Sequence, residues 1–189
     1  MTSLPVSCAT ALKEWATVLE AMARGEQHIL IRKGGLIEPG SGFELLAGTF
    51  VFYPTFEHQA VSYLREPFRR YFEEALKRRA PEGHVRVDLV GVAVSSQATT
   101  DAGVIDRLRP FHIYDETFVS QRLKWQPEQP LVVALVRAFR LPAPVLLPVQ
   151  PRYAGCKSWV DLEGSVSLEG AHPVVDEATV ALGPGDDRL

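Results

Sequence analysis

Cysteine is nearly absent: the 189 residues contain only Cys8 and Cys156, far apart in the chain. Two isolated sulfurs supply no disulfide framework and no zinc module, so two reduced thiols are expected. Long apolar runs are lacking as well. The longest, such as Leu131 to Val136 and Val145 to Leu147, fall far short of the roughly 20 residues that cross a bilayer, which leaves no membrane span. The N-terminal stretch from Met1 to Ala11 has no basic region followed by an apolar one, so a cytoplasmic location is expected. Histidines are few and scattered, and none of His28, His58, His84, His112 and His172 pairs with another ligand at helical spacing, so no metal site is expected. The catalytic signatures of two enzyme classes are also missing. No Asp-x-Lys or Glu-x-Lys occurs to hold a metal and activate water in the manner of restriction-type nucleases.

What is present suits one domain with a substantial core: 46% of residues are apolar and mean hydropathy is near zero. Net charge is −3, unevenly spread. Val160 to Leu189 holds seven acids against Arg188 alone, or −6, which leaves +3 on the first 159 residues. A mildly basic body with an acidic tail is compatible with an anionic partner without requiring one. A single domain over 1–162 and an acidic tail over 163–189, disordered from Gly183, are therefore expected.

Apolar residues Leu12, Trp15, Leu19 and Met22 recur at helical spacing before Gly25, which predicts an amphipathic opening helix. Short strands are expected over His28 to Lys33, Phe43 to Leu46 and Thr49 to Tyr53. Pro67 marks the start of a second helix that ends at Pro81-Glu82-Gly83. This helix carries Arg69, Arg70, Lys77, Arg78 and Arg79 on one face, with Glu73 and Glu74 spaced to pair with Lys77 and Arg78. Val85 to Val94 and Leu131 to Leu141 read as interior strands, Asp101 to Arg109 as a short helix, and Phe111 to Trp125 as one or two more strands. Pro142, Pro144, Pro148 and Pro151 confine their stretch to an edge or a loop. The resulting fold class is α+β: a bent, mostly antiparallel sheet or partly open barrel, with the opening helix and a second flanking helix.

Polar chemistry gathers in two early segments. Arg32-Lys33-Gly34-Gly35 ends a strand with two cations and two residues that permit close backbone approach, which suits a phosphate or carboxylate; a hairpin turn with solvated cations has the same pattern. Neither a Walker loop nor a dinucleotide fingerprint matches it. Tyr53-Pro-Thr-Phe-Glu-His-Gln59 offers a phenol, a hydroxyl, a carboxylate, an imidazole and an amide within seven residues. Here Glu57 and His58 are candidates for general acid and base, while Thr55, Glu57 and Gln59 have the groups to read a base edge or a sugar. A capped turn begun by Thr55 is the plainer alternative. Lys157 and Trp159 close the set, Trp159 as a stacking platform or a core residue. A Nudix reading of Arg69-Arg70-Tyr71-Phe72-Glu73-Glu74 fails upstream, where Val61 and Thr55 stand in place of the required acid and glycine.

Taken together, Ala11-Leu-Lys-Glu-Trp15, Arg32-Lys-Gly-Gly35, Tyr53-Pro-Thr-Phe-Glu-His-Gln59 and Tyr153-Ala-Gly-Cys-Lys-Ser-Trp159 resemble an uncharacterised bacterial family, domain of unknown function 1802, over residues 9 to 162. That resemblance marks residues and implies no reaction. At the level of architecture, Leu19 to Lys33 and Leu131 to Leu162 are similar to the opening and closing elements of the ASCH and EVE relatives of the PUA fold. This implies a small, partly open barrel, often one that binds RNA or modified nucleotides. The function expected is binding of RNA, DNA or a nucleotide, with Arg32 and Lys33 on phosphate and Glu57, His58 and Gln59 on base or sugar. The alternatives are a phosphoester or nucleic-acid hydrolase with Glu57 or His58 as general base, and a non-catalytic interaction module. Cofactor, metal requirement and oligomeric state are not specified by the sequence.

Overall fold

The computed structural model describes residues 4–33, 48–155 and 157–176. Seven strands form one sheet: β1 (Ser7–Trp15), β2 (Ile29–Arg32), β3 (Thr49–Thr55), β4 (His84–Thr99), β5 (Leu131–Pro148), β6 (Trp159–Ser167) and β7 (His172–Pro173). Their order is β2-β5-β4-β3-β1-β6, with β7 pairing β5. Only β1 and β3 run parallel, so the sheet is open, mixed and mostly antiparallel. Four α-helices among the described residues accompany it: α1 (Ala16–Met22), α2 (Arg70–Lys77), α3 (Ala102–Arg107) and α4 (Glu116–Lys124). The α+β class expected from the sequence is the one found.

Both faces of the sheet are covered. Along β3, Phe50 and Phe52 enter one apolar cluster with Leu12, Val18 and Met22, while Val51 and Tyr53 enter a second with Val90, Leu141 and Val160. This is the period-2 alternation of a strand buried on both sides. Phe50 pairs in register with Gly91, where a Cβ would sit 2.5 Å from its ring, so only glycine admits this aromatic.

Several elements differ from the sequence reading. The opening element is a strand, because Leu12 and Trp15 lie on β1 between β3 and β6; the helix begins only at Ala16 and all seven of its residues are buried. Phe111 to Trp125 is not a strand. It leaves the 3-10 turn Arg109–Phe111, makes an isolated bridge from Tyr114 to Leu64 and then forms α4, whose Asp115 cap accepts from the Phe118 amide at 3.0 Å. The proline stretch continues β5 as far as Pro148, paired on one side with β4, which is the edge position proline allows. The second helix starts as a 3-10 turn over Glu66–Phe68 and becomes α-helical at Arg70. Beyond residue 162 the chain stays in the fold, since β6 runs to Ser167 and β7 pairs with Phe139 and Arg140. The strand expected over Phe43 to Leu46 and the disorder expected from Gly183 lie outside the described residues, as do Gly34, Gly35 and Cys156. No helix among the described residues is long and apolar enough to cross a membrane.

Candidate functional site

The early cations are held inside the fold. Arg32 ends β2 and reaches across to β1, where its guanidinium pairs with the buried Glu14 carboxylate at 2.9 Å and also donates to the Lys13 carbonyl. The other Glu14 oxygen accepts from the Trp15 amide at 2.7 Å. Lys33 is buried, and its ammonium donates to the Leu123 carbonyl in the last turn of α4 at 2.9 Å. Both residues therefore brace what surrounds Trp15 and α4.

The segment from Tyr53 to Gln59 divides between several surroundings. Tyr53 is buried at the end of β3 with its ring edge-on to Tyr153 at 6.1 Å, and burial raises its phenol pKa. Thr55 donates to the Glu14 carbonyl at 3.3 Å instead of capping a local helix. Gln59 caps a remote one: its carbonyl oxygen accepts from the Thr17 amide at 3.3 Å and hydroxyl at 3.0 Å in the first turn of α1. Between these anchors the chain turns at exposed His58, whose φ of 61° is left-handed.

That turn separates two grooves. Glu57 and Phe56 line the first, of about 450 Å³, together with Tyr53, Lys13 and residues of α1, α2 and β4. Part of its charge is already paired: Arg78 bridges Glu20 at 3.0 Å and Asp88 at 3.1 Å, and Arg86 holds Asp88 at 2.9 Å. Arg79 is exposed, lies 4.8 Å from the centre of the Phe56 ring and has no carboxylate partner among the described residues.

His58 lines the second groove, of about 320 Å³, with Trp15, Tyr63, Phe118, Gln121, Arg122 and Trp125. Trp15 and Tyr63 are stacked at 5.9 Å with 9° between their planes, and Phe118 meets both edge-on. Over this aromatic floor sits Arg122, 5.2 Å from the Phe118 centroid and 6.0 Å from that of Trp15. Trp125 is half exposed at the rim, and Gln121 accepts from the Tyr63 hydroxyl at 2.7 Å, which leaves its amide N–H groups for another acceptor. Among the described residues that line it Arg122 is charged and none is a carboxylate.

Glu57 and His58 thus open onto different grooves, and no group of three metal-ligating side chains occurs among the described residues. Trp159 packs edge-on against Phe50 at 5.2 Å, with its indole N–H buried and unpartnered, while Lys157 is exposed. A third cavity, between α3 and α4, reaches the buried His112, whose pKa burial lowers to about 4; its ring lies 3.3 Å from the Ile105 carbonyl.

Arg122, Gln121 and Trp125 are the residues that sequence reading passed over. Their signal was present: read as a helix, Phe118, Gln121, Arg122 and Trp125 fall at i, i+3, i+4 and i+7 on one face.

An open, mostly antiparallel sheet flanked by helices, with an aromatic groove at one strand end, defines an α+β protein with a candidate stacking site. The chain belongs to the family described as domain of unknown function DUF1802, whose model matches residues 11–181. No curated protein and no solved structure matches it.

Proposed function

We propose that the protein binds a nucleic acid or nucleotide in the aromatic groove beside His58. The supporting observation is Arg122 lying over Trp15 and Phe118 in a groove lined by no carboxylate among the described residues. Aromatic rings and arginine planes stack on any base, and a guanidinium also meets phosphate. His58 and the Gln121 amide supply polar groups at the rim for a base edge or sugar. In this reading Arg32 and Lys33 act as positioning residues. Through Glu14 and the Leu123 carbonyl they steady Trp15 and the end of α4, and the phosphate contact passes to Arg122.

The test is retention on single-stranded RNA and DNA columns at low salt. The wild-type protein is retained and elutes with rising salt, and Arg122→Ala with Trp125→Ala elutes earlier while remaining folded by circular dichroism. Failure of the wild-type protein to bind either column at low salt overturns the proposal and favours the interaction-module reading. Turnover in a phosphoester panel with divalent metals, lost in Glu57→Gln, would instead establish the hydrolase reading.

A further inference from the structure

The two grooves on either side of Phe56 to His58 carry a second inference, which rests on the binding function just proposed. We infer that the ligand is a single strand of several nucleotides, draped over this turn so that successive bases use both grooves.

Each groove has its own stacking surface. One is the aromatic floor under Arg122 with the exposed Trp125 beside it. The other is Arg79, exposed and lying 4.8 Å from the half-buried Phe56 ring, unpaired with any carboxylate among the described residues. A core aromatic has no need of a solvent-facing guanidinium, whereas an exposed arginine plane braced on a ring is a surface on which an unpaired base stacks. Phe56 and His58 are two residues apart, so their Cα atoms are separated by no more than about 7 Å. The two stacking surfaces are therefore neighbours divided by one turn of chain. The turn has a fixed shape, because Thr55 and Gln59 anchor its ends to β1 and α1 and His58 holds a left-handed conformation between them.

Duplex does not suit this arrangement. Stacking on side chains requires bases that are free of their neighbours, and a paired helix offers none except at its ends. A mononucleotide would use one groove and leave the other idle. An extended single strand uses both, with its backbone crossing the turn and Arg79 and Arg122 on the two sides.

The experiment is a titration, followed by anisotropy or tryptophan fluorescence, with four probes: labelled octauridylate, labelled octathymidylate, a blunt-ended mixed-sequence duplex, and uridine monophosphate. The octamers are expected to bind at least about tenfold more tightly than the duplex or the monophosphate. Phe56→Ala and, separately, Arg79→Ala should weaken octamer binding by roughly 5- to 100-fold, as loss of one stacking contact does. Arg79 is exposed, so its variant reports on the contact even where Phe56→Ala disturbs the fold. Equal binding of octamer and monophosphate, equal binding of octamer and duplex, or octamer binding indifferent to both variants would overturn the inference and leave the aromatic-groove function standing. Absence of binding by all four probes would instead remove the function on which it rests. Comparison of the two octamers separates RNA from DNA, since only the former offers a 2′-hydroxyl.

Discussion

The residues that read as ligand-binding cations show how partners remote in sequence decide a side chain's role. Arg32 and Glu14 are 18 positions apart, and Lys33 and Leu123 are 90 apart, so nothing local could reveal either contact. The Glu14 carboxylate is buried, with 5% of its side chain exposed. Removing Arg32 leaves that charge unpaired, and Arg32→Ala is expected to cost about 2–3 kcal/mol in urea denaturation, with Glu14→Gln recovering part of the loss in the double variant. His112 gives a second residue-scale expectation. Its folded pKa is lowered from the ordinary 6.5 to about 4 by burial, so below the unfolded value the unfolded chain binds the proton more readily. Its contribution is complete above about pH 6.5, declines as pH falls to about 4, and amounts to about 3 kcal/mol over that window. Burial lowers the pKa of His28 in the same direction. Denaturation at pH 7 and at pH 4.5 should therefore differ less in His112→Gln than in the wild-type protein; an identical difference would show that His112 does not titrate as described.

Elements were legible where their periodicity had one meaning. The interior strands β4 and β5 stood out because β-branched runs have few other uses, and the short helix α3 was also expected where it lies. At the N-terminus the pattern had two. Leu12, Trp15 and Leu19 satisfy helical spacing, yet β1 is buried in the sheet interior and the helix starts one residue after Trp15. Tertiary pairing with β3 and β6 settled what spacing left open. In the same way, the capping contact of Asp115 shows that α4 had a start signal, outweighed in the sequence reading by its aromatic and β-branched residues. This cost the candidate site its most informative wall, since Gln121, Arg122 and Trp125 come from that helix and its end. The junction after α1 can be tested directly. Gly25 has φ +72°, and a Cβ there would lie 2.3 Å from the Val175 side chain, which joins the segment after β7 to the helix end. Gly25→Ala is expected to destabilise by about 2 kcal/mol. Adding Val175→Ala should relieve the steric part and leave the backbone part of about 1 kcal/mol, as read by thermal or urea unfolding.

For the whole molecule, the consequence of a sheet covered on both faces is that its two apolar clusters cannot come apart separately. They share β1, β3, β4 and β5: Leu12 and Ala11, Phe52 and Val51, Leu89 and Val90, and Val136 and Phe139 are divided between them along the same strands. Loss of either cluster strips one face from strands that the other still needs, so neither face has an independent folding unit to fall back on. The helices tie in equally. Arg24 links Glu20 of α1 to Glu74 of α2, and Arg78 carries the connection from Glu20 to Asp88 on β4. We therefore expect a single cooperative unfolding transition. Phe52→Ala in one cluster should cost about 3–5 kcal/mol and Val90→Ala in the other somewhat less, each moving the midpoint of the same transition without changing its denaturant slope. Trp15 and Trp159 sit at the first cluster and Trp125 lines the same groove as Trp15, so tryptophan fluorescence follows that side while far-ultraviolet circular dichroism follows the whole sheet. The two signals should coincide in the wild-type protein and in both variants. Separation of the fluorescence transition from the circular-dichroism transition in Val90→Ala would show that the faces unfold independently and that shared strands do not bind them into one unit.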